Sequence, residues 1–388
     1  MKIAMVSERA SPSASLGDQS RHVAELSAAL TRAGHDITVY TRRDAPGRRS
    51  GPTEDGYRIV PIPAGPARPL ETEDVLPHLG TFAAFLDDAW SAEPPDLVHA
   101  HFWMSGITAV TAAKAMGIPI TQTFHTLAAE GRTDAATAER VRLERLVGRN
   151  VARIVAMSTV EADELARLGV PRARISVVPG GVDLAVFTAT GVTQPRARGY
   201  RLVSAGELCE DSGFDITITA LRALPDTELV IAGRAGTRDT ISAALLEHAA
   251  RHGVADRVSL IGDVPDTDLP ALLRSADVVV CTPRAKAAGG TPVEAMACGV
   301  PVVAAGVGDL TDTVVDGVTG TLVPADRPDN VAEAVRELLL DNALREAYGI
   351  AGSDRARCRY SWDRVAADTF RAYEHVLPEP ARPALQPE

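Results

Sequence analysis

Aromatic side chains are scarce: they make up 4 % of the 388 residues, so the core has to be assembled from Ala, Val, Leu and Ile. Long uncharged apolar runs are missing as well. The opening one, within Met1 to Ser7, is too short for a signal-peptide core or a membrane span, and no later stretch reaches membrane-span length. The expectation is a chain with no integral membrane segment. Cysteine is rare, with four residues (Cys209, Cys281, Cys298, Cys358) that form no CxxC and no zinc-like spacing. That pattern excludes a disulfide framework and reads as free thiols in a reducing, cytoplasmic setting. Positive charge is in deficit, with 40 Lys and Arg against 51 Asp and Glu and a net charge of −11. An acidic surface excludes nonspecific nucleic-acid binding and disfavours docking on an anionic membrane.

What is present is ordinary globular material, 45 % hydrophobic and 23 % charged, in a length that exceeds one domain and suits two. Short apolar runs alternate with helical patterns. Lys2–Ser7, Asp36–Thr41, Asp96–Ala100, Pro119–Phe124 and Arg153–Met157 read as buried strands. Between the first two, Val23, Leu26, Ala29 and Leu30 recur at helical spacing, and Gly34 stops the helix. The rhythm restarts at Arg201–Ala205 and continues through Glu228–Ala232, Val258–Gly262, Asp277–Thr282 and Pro301–Ala304. Such alternation predicts parallel sheets covered by helices. The residues from Phe187 to Gly199 show no apolar period and read as an interdomain linker. The expected domains are therefore 1–186 and 200–360, followed by a helix over 361–377 and a disordered tail over 378–388, which carries four prolines. Two domains of this kind bind small molecules at the carboxyl ends of their strands, so the expected site is an interdomain cleft.

Particular segments carry more. PVEAMACGVPVVA from Pro292 to Ala304, the run from Gly308 to Pro324 and ISVVPGGVD from Ile175 to Asp183 closely resemble the signature of family 4 glycosyltransferases of the GT-B fold. HAHFWMSG from His99 to Gly106 and FHTL from Phe124 to Leu127 resemble the actinobacterial branch that includes the inositol-phosphate glycosyltransferases of mycothiol synthesis. The resemblance runs from residue 1 to about residue 377. It implies an α/β, GT-B protein: two Rossmann-like domains with parallel sheets facing an interdomain cleft. It further implies retaining transfer from a nucleotide-diphosphate sugar to an acceptor, without an essential metal or other cofactor. The nucleotide would sit on the C-terminal domain and the acceptor on the N-terminal one. The final helix, Ser361 to Val376, would cross back to the first domain.

Carried over position by position, the resemblance assigns Glu294 to the ribose hydroxyls, for which a carboxylate is a bidentate acceptor. Its bland alternative is a glutamate stabilised by the helix dipole. Lys286 stands where the family has the first glutamate of the same motif, eight positions before Glu294, which touches the donor sugar, and an ammonium cannot accept a hydrogen bond. The loop that follows contains Gly289, Gly290 and Thr291, with one glycine more than usual and no bulky residue. Glu207 and Ser212 occupy the positions of the Arg and Lys that normally hold the diphosphate. Gly17 is the single glycine of a loop that usually has two. It reads either as a phosphate-approaching turn or as a plain turn capped by Asp18 or Ser20. Asp309 likewise replaces a glycine. His125 matches the histidine that points at the donor sugar, and Thr126 an acceptor contact. His125 and Glu294 are thus the candidate catalytic contacts. Phe102 and Gly131 replace a Tyr and a Lys suited to a phosphate, which argues against inositol phosphate as acceptor. His99 and His101, two apart on a strand, read as structure or cleft lining, because no further ligands accompany them and no metal is expected.

Three readings follow. In the first, an active transferase draws its positive charge from Arg234, Arg284 or Lys286, with Arg284 also a candidate acceptor contact and Glu207 facing a cationic substrate group. In the second, the chain uses an unusual donor or a sugar analogue. In the third, it is a non-catalytic partner of an active enzyme. The Ala- and Arg-rich composition resembles high-GC actinobacteria, which host both primary and antibiotic-pathway members of this family, and a role in specialised metabolism is the expectation. The expected partners are a small-molecule acceptor and either a second copy of the chain or an active enzyme.

Overall fold

Ile3, Ala4, Met5 and Val6 are all buried, as a central strand covered on both faces requires. A computed structural model of the chain describes residues 1–8, 18–113, 115–128, 135–233, 240–285 and 290–377. Their contacts group into two units. The first comprises Met1–Met157, Glu161–Val178 and the chain from Val365 onward; the second comprises Ser158–Val160 and Pro179–Arg364.

The first unit holds an eight-stranded sheet. Its strands are β1 (Lys2–Val6), β2 (Asp36–Arg42), β3 (Gly51–Pro52), β4 (Arg58–Ile62), β5 (Leu97–His101), β6 (Ile120–Thr123), β7 (Arg153–Ala156) and β8 (Ile175–Val177). They lie in the order β3-β4-β2-β1-β5-β6-β7-β8, and every pairing is parallel except β3 with β4. The order reverses between β1 and β5. Ligands of open α/β sheets bind beyond the carboxyl ends of the strands at such a reversal.

The second unit holds a six-stranded, all-parallel sheet. Its strands are β9 (Tyr200–Ala205), β10 (Thr227–Ala232), β11 (Val258–Gly262), β12 (Val278–Cys281), β13 (Val302–Ala305) and β14 (Gly320–Val323). Their order is β11-β10-β9-β12-β13-β14, with the reversal between β9 and β12. An aliphatic core covers both sheets. In the first unit it is completed by a few large rings, Phe82, Trp90 and Phe124. In the second it splits into one cluster that includes Val280 and Val303 and another that includes Val279 and Val302, as alternation along buried strands dictates.

Four strands escape the sequence pattern: β3, β4, β8 and β14. The run of β4 contains Pro61, which supplies no ladder donor and disguises it. The other three are two to four residues long, too short for a period to register. The unit boundary also differs from the expected one. Residues 179–186 group with the second unit, because Val182 donates its N–H to the Tyr360 carbonyl at 2.8 Å and joins that unit's core.

The stretch from Phe187 to Gly199 is not a loose connection. Arg274 donates to the carbonyls of Thr188 (3.1 Å) and Val192 (3.0 Å), and Arg196 pairs with Asp277 at 2.7 Å. Polar bonds hold this segment, so its lack of apolar period says nothing about its order. The helix Trp362–Glu374 begins in the second unit, and from Val365 its residues belong to the first. The expected tail over 378–388 lies outside the described residues.

Candidate functional site

In the first unit the features of interest sit just past β5 and β6. Strand alternation puts His99 and His101 on one face of β5, and the register sets them beside Thr121 and Thr123 of β6. The chain leaves β5 at Phe102 with φ 74° and turns after β6 at His125 with φ 62°. Side chains rarely adopt this left-handed region, so both turns must be held by their surroundings. The Phe102 N–H donates to the Thr123 carbonyl at 2.8 Å. Gln122 adds bonds from Nε2 to the carbonyls of Phe102 (3.1 Å) and Thr123 (2.8 Å). Gly106 makes this clamp possible. A Cβ there would lie 2.3 Å from the Gln122 Oε1 and 2.7 Å from a Val147 methyl, so the helix Trp103–Ala113 can approach β6 only through glycine.

Four imidazoles gather at these strand tips. His101 Nδ1 lies 3.0 Å from His125 Nε2, and the His99 and His101 rings are 4.1 Å apart. His22, from the helix Asp18–Arg32, meets the His125 ring edge-on at 5.1 Å and the His101 ring at 5.8 Å. His99 is held on both nitrogens, Nδ1 by the Tyr373 hydroxyl at 2.7 Å and Nε2 by Thr123 Oγ1 at 2.9 Å. Burial pushes the pKa of His22 down to about 4 and of His99 to about 3, and those of His101 and His125 well below the ordinary value. Neighbouring imidazoles lower the last three further. The cluster is therefore neutral at physiological pH. Among the described residues no group of three or more His, Cys, Asp and Glu side chains is arranged to hold a metal ion.

Beside His125, Thr126 is exposed, and Arg140 from the helix Ala135–Asn150 reaches it. The guanidinium donates to the Thr126 carbonyl at 2.7 Å and its hydroxyl at 3.2 Å, and lies over the Phe102 ring at 5.2 Å. Arg140 Nε also pairs with the buried Glu144 at 2.8 Å, whose carboxylate accepts the Ala128 N–H at 3.1 Å. Phe102, Thr126 and His125 thus come together with a cation that no motif indicated. A second charge near the reversal point is Glu8, a buried carboxylate just past β1 bonded to Ser105.

In the second unit the tips of β9, β10 and β12 are crowded, and glycine resolves the crowding. A Cβ on Gly213 would lie 1.8 Å from the Thr282 carbonyl oxygen, and one on Gly233 would lie 2.1 Å from that of Gly206. Glu207 is exposed just past β9. Half-buried Ser212 donates to the Glu207 carbonyl at 2.6 Å. Thr291 Oγ1 donates to the carbonyl of Ala205, the last residue of β9, at 3.3 Å, which ties the start of the helix Thr291–Ala297 to the reversal point. Glu294, in the first turn of that helix, is buried and sits over Gly290, where a Cβ would be 3.3 Å from its Oε1. Together with burial, the charge of Glu294 raises the thiols of Cys281 and Cys298 to about 12.

Arg284 is committed locally. It donates to the Glu210 carbonyl at 2.5 Å and pairs with Asp215 at 2.6 Å and Asp326 at 3.0 Å. Asp309 opens the short helix Leu310–Thr313, its carbonyl accepting the Thr313 N–H at 3.0 Å. Gly17, Gly131, Arg234, Lys286 and Gly289 lie outside the described residues. Sequence reasoning missed Arg140, His22, Glu8 and Tyr373. Only Arg140 left a trace, as the first member of an i,i+4 pair with Glu144 on one helix.

Residues 19–186 match the family model for Glycosyltransferase Family 4, and residues 192–355 match the one for Glycosyl transferases group 1. A D-inositol 3-phosphate glycosyltransferase of Xylanimonas cellulosilytica is 34 % identical over 418 residues, covering 98 % of each chain. One of Acidothermus cellulolyticus is 32 % identical over 420 residues, covering 99 % of this chain and 92 % of that protein. Among solved structures, sucrose-phosphate synthase from Thermosynechococcus elongatus superposes with a TM-score of 0.85 at 24 % identity, over 96 % of this chain and 98 % of that one. Anabaena HepE in complex with UDP and glucose superposes with a TM-score of 0.75 at 18 % identity, over 96 % of this chain and 99 % of that one.

Proposed function

The chain belongs to the family 4 glycosyltransferases, and from that premise we propose that it moves a sugar from a nucleotide-diphosphate donor to a small polyhydroxylated acceptor with retention at the anomeric carbon. The observation that carries this reading is Glu294, a carboxylate held at the β9–β12 reversal point in the first turn of its helix. A rigid acceptor there suits the two ribose hydroxyls. The nucleotide is assigned to the second unit, with Gly290 and Thr291 flanking it. The acceptor is assigned to the first unit, beside His125, Thr126 and Phe102.

The diphosphate needs positive charge, which Glu207 and Ser212 do not supply. Arg284 is left out of that role, because two carboxylates already neutralise it. Arg234 and Lys286 are the remaining cations of the sequence reading, which also assigned Gly17 and Gly289 to the donor. On the acceptor side Arg140 offsets the loss of Tyr at Phe102 and of Lys at Gly131. An acceptor with an anionic group next to Thr126 fits, and D-inositol 3-phosphate, named in the relatives, is the first candidate.

Calorimetric titration with UDP, GDP, ADP and dTDP at low salt tests the donor half. Saturable binding of one nucleotide, followed by product formation from its sugar conjugate with retained configuration by NMR, supports the reading. UDP comes first, because HepE holds it on the same fold. A second reading is favoured by exposed Glu207 and by Ser212, whose hydroxyl is bonded within its own loop to the Glu207 carbonyl: a partner protein that kept the fold and lost the chemistry. Silence toward all four nucleotides, with co-purification of an active transferase, selects it.

A further inference from the structure

The hydrogen bonds of the histidine cluster are distributed unequally. His99 is engaged at both ring nitrogens. His101 is engaged at one, Nδ1, which faces His125 Nε2 at 3.0 Å. Its other nitrogen, Nε2, is buried and has no hydrogen-bond partner among the described residues. Only one of the two facing nitrogens can carry a proton if both rings are neutral, so there are two arrangements.

If His125 donated, the His101 proton would sit on Nε2, a buried N–H with nothing to receive it. If His101 donates, what remains at its Nε2 is a bare lone pair. Orphaned buried N–H groups are rarer and costlier than unfilled acceptors. We infer that His101 is a positioning residue that donates from Nδ1 to His125 Nε2 and holds His125 as the neutral tautomer with its proton on Nδ1. His125 then offers substrate a hydrogen-bond donor and not a base. This rests on the assignment of His125 to the transfer site.

The surroundings favour this arrangement. The Phe102 N–H bond to the Thr123 carbonyl fixes the exit of β5 against β6 and so sets the spacing of the two rings. The left-handed turn at His125 leaves its backbone little freedom to move away. The titratable groups that meet the pair are His22 from the first helix and His99 beside it; Arg140 and Glu144 lie next to Thr126, and Glu8 bonds Ser105 past β1. Burial and the neighbouring imidazoles both oppose an imidazolium, so the neutral form persists well below pH 6.5.

The experiment is long-range proton–nitrogen correlation NMR on the full chain labelled with nitrogen-15 histidine, without substrate. The expected result at pH 7 is a neutral His125 protonated on Nδ1 and a neutral His101 also protonated on Nδ1. A proton on His125 Nε2, or a charged ring, overturns the inference. Two variants extend it. In His101→Asn the amide nitrogen takes the place of Nδ1, so the His125 tautomer and kcat should stay close to those of the native chain. In His101→Leu the donor is gone. His125 should then populate both tautomers, with kcat down about tenfold or more, KM for the sugar nucleotide little changed, and an acid limb in kcat moved up toward pH 6.5. Equal loss in both variants would mean that ring volume matters and donation does not. If the Leu variant does not fold, the native spectrum and the Asn variant still decide. The NMR result needs no turnover, so failure of the transferase reading and failure of the tautomer assignment are separable.

Discussion

The guanidinium of Arg140 stands over the Phe102 ring, its central carbon 5.2 Å from the ring centroid. An aromatic residue that offers no side-chain hydrogen bond thus orients a guanidinium that does. The same cation is fixed by the Thr126 carbonyl and by buried Glu144. The strained turn after β5 and the helix Ala135–Asn150 are thereby coupled at one group.

Replacing Arg140 by Lys keeps the charge and loses the fork. One charge-assisted bond is worth about 1.5–3 kcal/mol, so KM for a phosphorylated acceptor should rise about ten- to a hundredfold. KM for a neutral polyol should change little. The comparison of the two acceptors in steady-state kinetics checks this, and equal losses on both would remove Arg140 from anion recognition.

Glu294→Gln should weaken nucleoside-diphosphate binding about tenfold or more in calorimetry, because a carboxylate accepting from both ribose hydroxyls becomes an amide with one acceptor. Glu207→Arg should act in the opposite direction. Its side chain is exposed, so the change should leave stability intact while strengthening nucleotide binding at low salt. An unchanged affinity in both variants would place the nucleotide elsewhere.

Two glycines with similar φ should respond differently to alanine. Gly213 (φ 67°) faces the Thr282 carbonyl at 1.8 Å from a built Cβ, whereas Gly253 (φ 69°) has nothing within 4 Å. Gly253→Ala should cost about 1–2 kcal/mol from the left-handed backbone alone. Gly213→Ala should cost more than about 3 kcal/mol, because the strand tip must move. Thermal unfolding of the two variants provides the ranking.

Stability should fall on acidification from near neutrality. The folded-state values of His22, His99, His101 and His125 all lie below 6.5, so between those values and 6.5 the unfolded chain binds more protons. The contribution is complete above pH 6.5 and is lost as pH falls toward 4 and below. Each histidine that stays neutral adds about 1.4 kcal/mol per pH unit to the loss. The midpoint of thermal unfolding should therefore be nearly flat from pH 7 to 8 and drop steeply below 6.5. Replacing His22 by Gln should flatten the slope.

Much of the layout was legible because it is local. The apolar runs of β1, β5, β9 and β12 are written in consecutive residues, as are the motifs around Glu294 and His125. Charge placement was not. Arg284 looked available for a phosphate or acceptor, yet it pairs with Asp215 and Asp326, 69 positions before it and in a later loop. The segment from Phe187 to Gly199 looked like a linker because its partners, Arg274 and Asp277, lie far along the chain.

The sequence by itself determined the α/β class, the family and the loss of the usual diphosphate cations, because each depends on residue type at a local spacing. Only the tertiary structure decided which charges are already paired and which imidazoles face one another. Tyr373 reaches His99 across 274 positions, His101 meets His125 across the gap between two strands, and Arg140 comes to Phe102 from another helix. Pairing and burial set the chemistry of an ionisable group, and both are properties of neighbours that the fold brings together.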